Sequence, residues 1–124
     1  MLDHEALAAE LQVLREHVTG VTDTVIAAAD GIPIIADAAD TIDPGCISAL
    51  AAADLGLARR TTEVIGQGKL RQSVVYSSGG YMAVYAIDPM ALMVVLGDEG
   101  LNIGRLHQEA QPVIERIGSI LAAS

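Results

Sequence analysis

The chain has 124 residues, of which 52% are hydrophobic, so it is long enough for a core of its own and too apolar for disorder. Its formal net charge of -9 disfavours nucleic acid and anionic membranes as partners, because both attract basic surfaces. Phe and Trp are absent, and the single cysteine can form neither an intramolecular disulfide nor a thiolate metal cluster. We therefore expect one domain, residues 1–124, with an aliphatic core, in a reducing, cytoplasmic compartment and without membrane insertion.

The N-terminal third reads as a helix followed by a hairpin. Asp3 is the expected N-cap of the helix and Gly20 its expected stop. Asp30-Gly31 then predicts a type I′ turn, because glycine tolerates the positive φ that this turn demands. Pro33 cannot donate a hydrogen bond to a ladder, so the second strand is expected at an edge of the sheet.

The stretch Ser73–Gly97 carries only one charged residue, Asp88. Turn signals at residues 77–80 and 88–89 divide it into lengths typical of strands, which predicts three strands and not a membrane helix. The last of them is nearly all apolar, as a central strand should be, whereas the third strand of the chain is an edge that nothing blunts. The predicted helices are Asp3–His17, Pro44–Val64 and Asn102–Ala122, and the predicted strands are Thr24–Ala29, Ile32–Asp37, Leu70–Ser77, Tyr81–Ile87 and Met90–Leu96, giving an α+β fold with a helix-clothed antiparallel sheet in the order 2-1-5-4-3.

The second predicted helix is apolar on two sides. A helix of this kind is usually covered on both sides, and small side chains let two helix axes approach closely. We therefore predict that its second side packs on a helix of another subunit; the alternative is that alanine simply fills the helix as a good helix former. The side predicted to face the sheet carries Ile47, Leu50, Ala51, Ala58 and Ile65, and the opposite side carries Ala49, Ala52, Ala53, Gly56, Arg60 and Glu63.

No motif for catalysis, a cofactor or a metal ion stands out. The segment 66–69 (Gly-Gln-Gly-Lys) has the composition of a phosphate loop, but it follows a helix and precedes a strand, which is the wrong order. Cys46 is expected to be a half-buried structural thiol. His4, His17 and His107 lie far apart in the sequence and are interpreted as surface residues. We predict a protein that is not an enzyme and has no catalytic, cofactor-binding or metal-binding residues.

The order of elements resembles the roadblock family of dynein-associated light chains and their bacterial relatives, over essentially the whole chain. The hairpin Asp30–Pro33 is its most specific part, and the rest depends on order and spacing. The segments that carry the resemblance are Val25–Ile34, Gly80–Tyr85, Leu92–Leu96, Gly104–Leu106 and Ala110–Leu121.

The resemblance implies a roadblock/profilin-like fold and a homodimer in which the second helix packs on its counterpart and the third strand pairs with its counterpart. It also implies a Ras-like small GTPase as partner and, for the bacterial branch, a signalling module that includes a sensor kinase. Some members stimulate GTP hydrolysis without lending a catalytic arginine. The predicted dimer interface comprises Ala49, Ala52, Ala53, Gly56, Arg60, Gln72, Val74 and Tyr76.

The leading hypothesis is therefore a non-catalytic homodimeric adaptor or regulator of a small GTPase. A small-molecule sensor domain is the alternative, since similar helix-clothed sheets can hold ligands, and it requires a concave pocket with convergent polar groups. A thiol enzyme built on Cys46 is the third possibility.

Overall fold

The computed structural model describes all 124 residues as three helices around one five-stranded antiparallel sheet. The strand order β2-β1-β5-β4-β3 is the predicted one, with β2 and β3 at the edges. The elements are α1 (His4–His17), β1 (Val21–Ala28), β2 (Pro33–Asp37), α2 (Pro44–Ile65), β3 (Gln72–Ser77), β4 (Gly80–Asp88), β5 (Ala91–Asp98) and α3 (Ile103–Ala122).

The sheet separates two apolar layers. Alternation along β1 sends Ile26 to the face covered by α1 and α3, and Val25 to the face covered by α2. The first layer is a cluster of fourteen buried residues, and the second is a cluster of seven. The second layer is thinner because α2 contributes only Ala51 and Leu55 to its buried part. Both layers are aliphatic apart from Tyr85, in agreement with the composition.

The first hairpin forms where predicted, but its turn type was predicted wrongly. A type I′ turn needs positive φ at both central residues, and Gly31 has φ 91° whereas no residue other than glycine has positive φ. The Gly31 N–H donates to the Ala28 carbonyl at 2.9 Å, and the Ala28 N–H donates to the Ile32 carbonyl at 2.9 Å. These bonds enclose a three-residue loop in which Gly31 takes the left-handed position.

β1 is longer than predicted. β1 begins at Val21 and not Thr24, and Val21 pairs with Gly97 of β5. Asp23 lies in this additional part of the strand and is buried. Its carboxylate accepts a hydrogen bond from the Ala39 N–H at 2.8 Å, which offsets the cost of burying the charge.

Two polar contacts hold the segment between β2 and α2. Asp37, the last residue of β2, accepts a hydrogen bond and forms an ion pair with Arg15 of α1 at 3.0 Å. Two residues later, the Ala39 amide is held by Asp23 of β1. The chain is therefore fixed on both sides of Ala38 before it enters α2.

Capping residues define the helix ends. Asp3, Asp43 and Asn102 accept hydrogen bonds from the first-turn amides of α1, α2 and α3 respectively. α2 ends at Gly66, whose φ of 68° is the left-handed conformation common at helix C-termini. α1 already ends at His17, so Gly20, with φ 98°, belongs to the following turn and does not stop the helix as predicted.

α3 continues through Pro112 and buries Leu106, Ala110, Val113 and Ile117. None of the helices combines the length and the apolar character that crossing a membrane would need.

Candidate protein-interaction face

The orientation of α2 on the sheet differs from the predicted one. Its buried residues are Ser48, Ala51 and Leu55, whereas Leu50 and Ile65, both predicted to face the sheet, are 56% and 55% exposed. At 100° per residue, the buried side is rotated by roughly 70° from the predicted side. Ser48 explains the error, because a hydroxyl that is buried without a hydrogen-bond partner is not a position that hydrophobicity would identify.

This rotation places an apolar stripe on the solvent side of α2. Leu57 and Val64 are 71% and 70% exposed, and together with Leu50 they recur at intervals of seven residues. Ala53 lies between them on the same side and is also exposed. We call Leu50, Ala53, Leu57 and Val64 the α2 stripe. Monomeric proteins rarely leave so many large apolar side chains contiguous and uncovered.

β3 continues this surface as an unpaired sheet edge. It pairs with β4 on one side only. Ser73 donates a hydrogen bond to Asp54 of α2 at 3.1 Å, so Ser73 and, by alternation, Val75 lie on the α2 side of the sheet. Val75 is 46% exposed there. The α2 stripe together with β3 is the α2–β3 face.

The other side of β3 carries Val74 and Tyr76. The Tyr76 ring stacks on Tyr81 of β4 with centroids 4.6 Å apart and an angle of 18° between the rings. Desolvation and the neighbouring Tyr76 both raise the pKa of Tyr81. Tyr76 is nevertheless largely exposed, so a partner that pairs with the β3 edge would meet an aromatic side chain.

Six of the eight residues predicted for the interface are exposed on α2 or β3, and their part in dimerisation stays a prediction. Ala52 is one exception, because it is half-buried and packs against the cluster between α2 and the sheet. Gln72 is also half-buried, at the start of β3. Sequence reasoning missed Leu50, Leu57, Val64 and Val75, although the seven-residue spacing of the first three was a usable signal. The remaining predicted residues are exposed: Ala49, Ala53, Gly56, Arg60, Val74 and Tyr76.

The Roadblock/LC7 domain matches residues 7–97, which include β1, β2, α2 and all of β3 and β4. The chain belongs to the Roadblock/LC7 family. This assignment confirms the resemblance inferred from the order of elements, and the roadblock/profilin-like fold is confirmed with it.

Individual relatives of this roadblock domain are distant in sequence and similar in fold. An uncharacterized protein of Methanocaldococcus jannaschii is 26% identical over 98 residues, which are 79% of this chain and 85% of that protein. A Roadblock/LC7 domain from Streptomyces avermitilis has 22% identity and a TM-score of 0.82, with 88% of this chain and 92% of that chain covered. The gliding protein MglB from Thermus thermophilus has 14% identity and a TM-score of 0.85, with coverage of 98% and 92%.

Cys46 and His107 of this roadblock domain differ from the prediction, whereas His4 and His17 are exposed as predicted. Cys46 is exposed in the first turn of α2 and not half-buried. His107 is half-buried, and its Nδ1 lies 2.6 Å from the hydroxyl of buried Tyr85. No group of three His, Cys, Asp or Glu side chains is arranged to hold a metal ion.

The burial of His107 beside Tyr85 is expected to make the roadblock domain less stable in mild acid. Burial raises the pKa of Tyr85 and lowers the pKa of His107. Both groups are therefore neutral in their hydrogen bond at neutral pH, while the unfolded chain takes up a proton on this histidine below about pH 6.5. Because the folded form resists that proton, its free energy of unfolding should fall as the pH drops below this value.

Urea unfolding at successive pH values between about 8 and 5.5 measures this loss. His107→Gln keeps a polar side chain that does not titrate, so its stability should depend less steeply on pH than that of the wild type. Equal slopes for the two proteins would contradict the assignment.

Proposed function

We propose that this roadblock domain is a non-enzymatic, homodimeric adaptor that binds a Ras-like small GTPase. The observation that carries the proposal is the α2–β3 face, where an exposed apolar stripe adjoins an unpaired strand edge. Family membership supplies the expected use of such a face.

The dimer would use the α2–β3 face twice. In a two-fold symmetric interface the same patch occurs on both subunits, so α2 would pack antiparallel on its counterpart and β3 would extend the sheet into the partner. Leu57, near the middle of α2, would contribute most of its exposed area to such a contact. A persistent homodimer interface commonly buries about 2,000 Å² or more in total. MglB, a neighbour with 14% identity, has been solved in a tetrameric arrangement, and its self-association supports the proposal.

The proposal of a GTPase partner, and of the signalling module around it, is based on the resemblance to the roadblock family. For the bacterial branch we propose a cytoplasmic signalling module in which the dimer links a small GTPase to components of a sensor kinase. The dimer would act by binding, and any effect on GTP hydrolysis would come from ordering residues of the GTPase.

The small-molecule alternative gains no support from the interior. Both sides of the sheet are filled by packed aliphatic side chains, including buried Leu11, Met93 and Ile117 on one side. The concave regions of the molecule are open surface grooves, whereas small-molecule sites enclose most of their ligand and are lined mainly by apolar groups.

Affinity capture tests the partner. The immobilised wild-type dimer is incubated with lysate of its native host, to which GDP or a non-hydrolysable GTP analogue has been added. We expect a Ras-like GTPase to be enriched in one nucleotide state, and the purified pair to bind with the same preference. Beads without protein are the control. If the dimer is intact and no GTPase is enriched in either state, the proposal is wrong.

A further inference from the structure

The basic side chains of this acidic protein fall into two groups. Four arginines form ion pairs: Arg15 with Asp37 at 3.0 Å, Arg60 with Glu63 at 3.4 Å, Arg105 with Glu109 at 3.6 Å, and Arg116 with Glu10 at 2.7 Å. The other three of the seven are Arg59, Lys69 and Arg71, which have no carboxylate within 4.0 Å. These three lie together, where α2 ends and β3 begins, and they line two adjoining grooves.

The first groove runs between the start of β3 and α3 and has a volume of about 690 Å³. Arg71 lies in it beside three glutamine amides and His107, and none of its lining residues is acidic. The His107 ring also lines this groove, and its Nδ1 is already hydrogen-bonded to the Tyr85 hydroxyl. In a chain with sixteen Asp and Glu residues, this groove therefore offers hydrogen-bond donors and one uncompensated positive charge.

The second groove has a volume of about 620 Å³ and contains Arg59 and Lys69. Its two acidic residues are already engaged within the chain. Glu63 pairs with Arg60 at 3.4 Å, and the Asp88 carboxylate accepts the Met90 N–H at 2.7 Å. The Met90 N–H does not cancel the charge of Asp88, so with Glu63 set against Arg60 the groove keeps one net positive charge from Arg59 and Lys69.

Leu70 and Ala86 line both grooves and form an apolar saddle between them. We call the two grooves with this saddle the basic double groove. We propose that it binds an extended segment of another protein that carries carboxylate side chains. The proposal goes beyond the adaptor function and does not depend on it.

Three features favour an extended acidic segment over a small anion. The double groove is open and carries charged or amide side chains in both of its parts, whereas a small-molecule site is concave and mainly apolar. Glutamine amides match the N–H and C=O groups of a peptide backbone, and the cations on either side of the saddle match separate carboxylates.

Selection from a displayed library of random twelve-residue peptides tests the proposal. We expect the wild-type protein to enrich peptides that contain several Asp or Glu residues. The leading peptide is then synthesised and titrated at low ionic strength, by fluorescence anisotropy for affinity and by NMR for location. Amide shifts should concentrate at Lys69–Gln72 and at His107–Gln111.

Single charge removals locate the contact. Arg71→Gln and Lys69→Gln should each weaken binding about threefold to tenfold, as expected for exposed charge-assisted contacts. Arg116→Gln makes the same change of charge outside the grooves and should leave affinity within about twofold. Replacing the Glu residues of the peptide by Gln should abolish binding.

Several outcomes would overturn the proposal. These are a selection without acidic enrichment, affinity unaffected by Arg71→Gln, and inorganic pyrophosphate binding more tightly than the peptide, which would indicate a general anion site. The NMR amide shift of Arg71 is also followed without peptide, at protein concentrations where dimerisation is complete. If this shift still changes as the protein concentration rises, a second copy of the chain occupies the groove. Loss of the dimer in other variants would bear on the adaptor proposal alone.

Discussion

Gly56→Arg is expected to produce a folded monomer. Gly56 is exposed on α2, and an added Cβ there would meet no atom within 4 Å in the chain. The isolated subunit should therefore accept arginine, and replacing a helical glycine should even raise its stability, by up to about 1 kcal/mol. In the proposed dimer the same side chain would be forced between two closely packed helices, and its charge would lose water without gaining a partner.

The expected effect on association is large. Burying an unpaired charge costs several kcal/mol, and about 3 kcal/mol already raises a dissociation constant by more than 100-fold. Sedimentation velocity at micromolar concentration should show a dimer for the wild type and a monomer for the variant, while thermal unfolding shows an intact fold.

Gly104→Arg is the matched control for this experiment. Gly104 is exposed near the start of α3, outside the α2–β3 face, and only the Asn102 side chain lies near an added Cβ, at 3.5 Å. This variant should remain a dimer. A wild type that sediments as a monomer, or a Gly56→Arg protein that stays dimeric, would show that the face is not a homodimer interface.

Gly80→Ala is expected to be the most damaging small substitution in the sheet. Gly80 has φ 150°, and an added Cβ would overlap the carbonyl oxygen of Gly97 in β5. That oxygen belongs to the backbone and cannot turn aside, so β4 would have to separate from β5 at this end. We expect the free energy of unfolding to fall by about 3–5 kcal/mol, in the range of severe steric substitutions.

The preceding residue provides the control for Gly80→Ala. Gly79 lies in the same turn, has no positive φ, and has no atom within 4 Å of an added Cβ. Gly79→Ala should change stability by less than about 1 kcal/mol, since it removes only the backbone freedom of the unfolded chain. Urea unfolding followed by circular dichroism compares the two, and similar losses of stability would contradict the clash at Gly97.

The strand order of the sheet could be predicted because a few local features limit which strands can lie at its edges. Pro33 restricted its strand to an edge, and the apolar last strand required neighbours on both sides, so few strand orders remained. The turn at Gly31 shows where this reasoning stops. One glycine is compatible with a two-residue or a three-residue loop, and the choice depends on cross-strand hydrogen bonds that the dipeptide does not specify.

The interaction face could be predicted only in outline, for a different reason. Its location on α2 follows from an excess of apolar residues, but the rotation of the helix depends on Ser48, a small polar residue that the sheet accepts. His107 illustrates the same limit, since its partner Tyr85 is 22 residues away and on another element. Contacts of this kind depend on how whole elements pack, which local sequence patterns do not encode.

The two polar contacts on either side of Ala38 affect how a force on α2 is transmitted through the domain. One joins the end of β2 to α1 through Arg15, and the other joins the next segment to β1 through Asp23. The segment that precedes α2 is thus attached both to α1, which lies on the opposite side of the sheet from α2, and to the central strand β1. If β2 detached from the sheet, the hydrogen bond from the Ala39 N–H to Asp23 would still join the segment before α2 to β1, so a force applied to α2 would reach a central strand and not the edge alone.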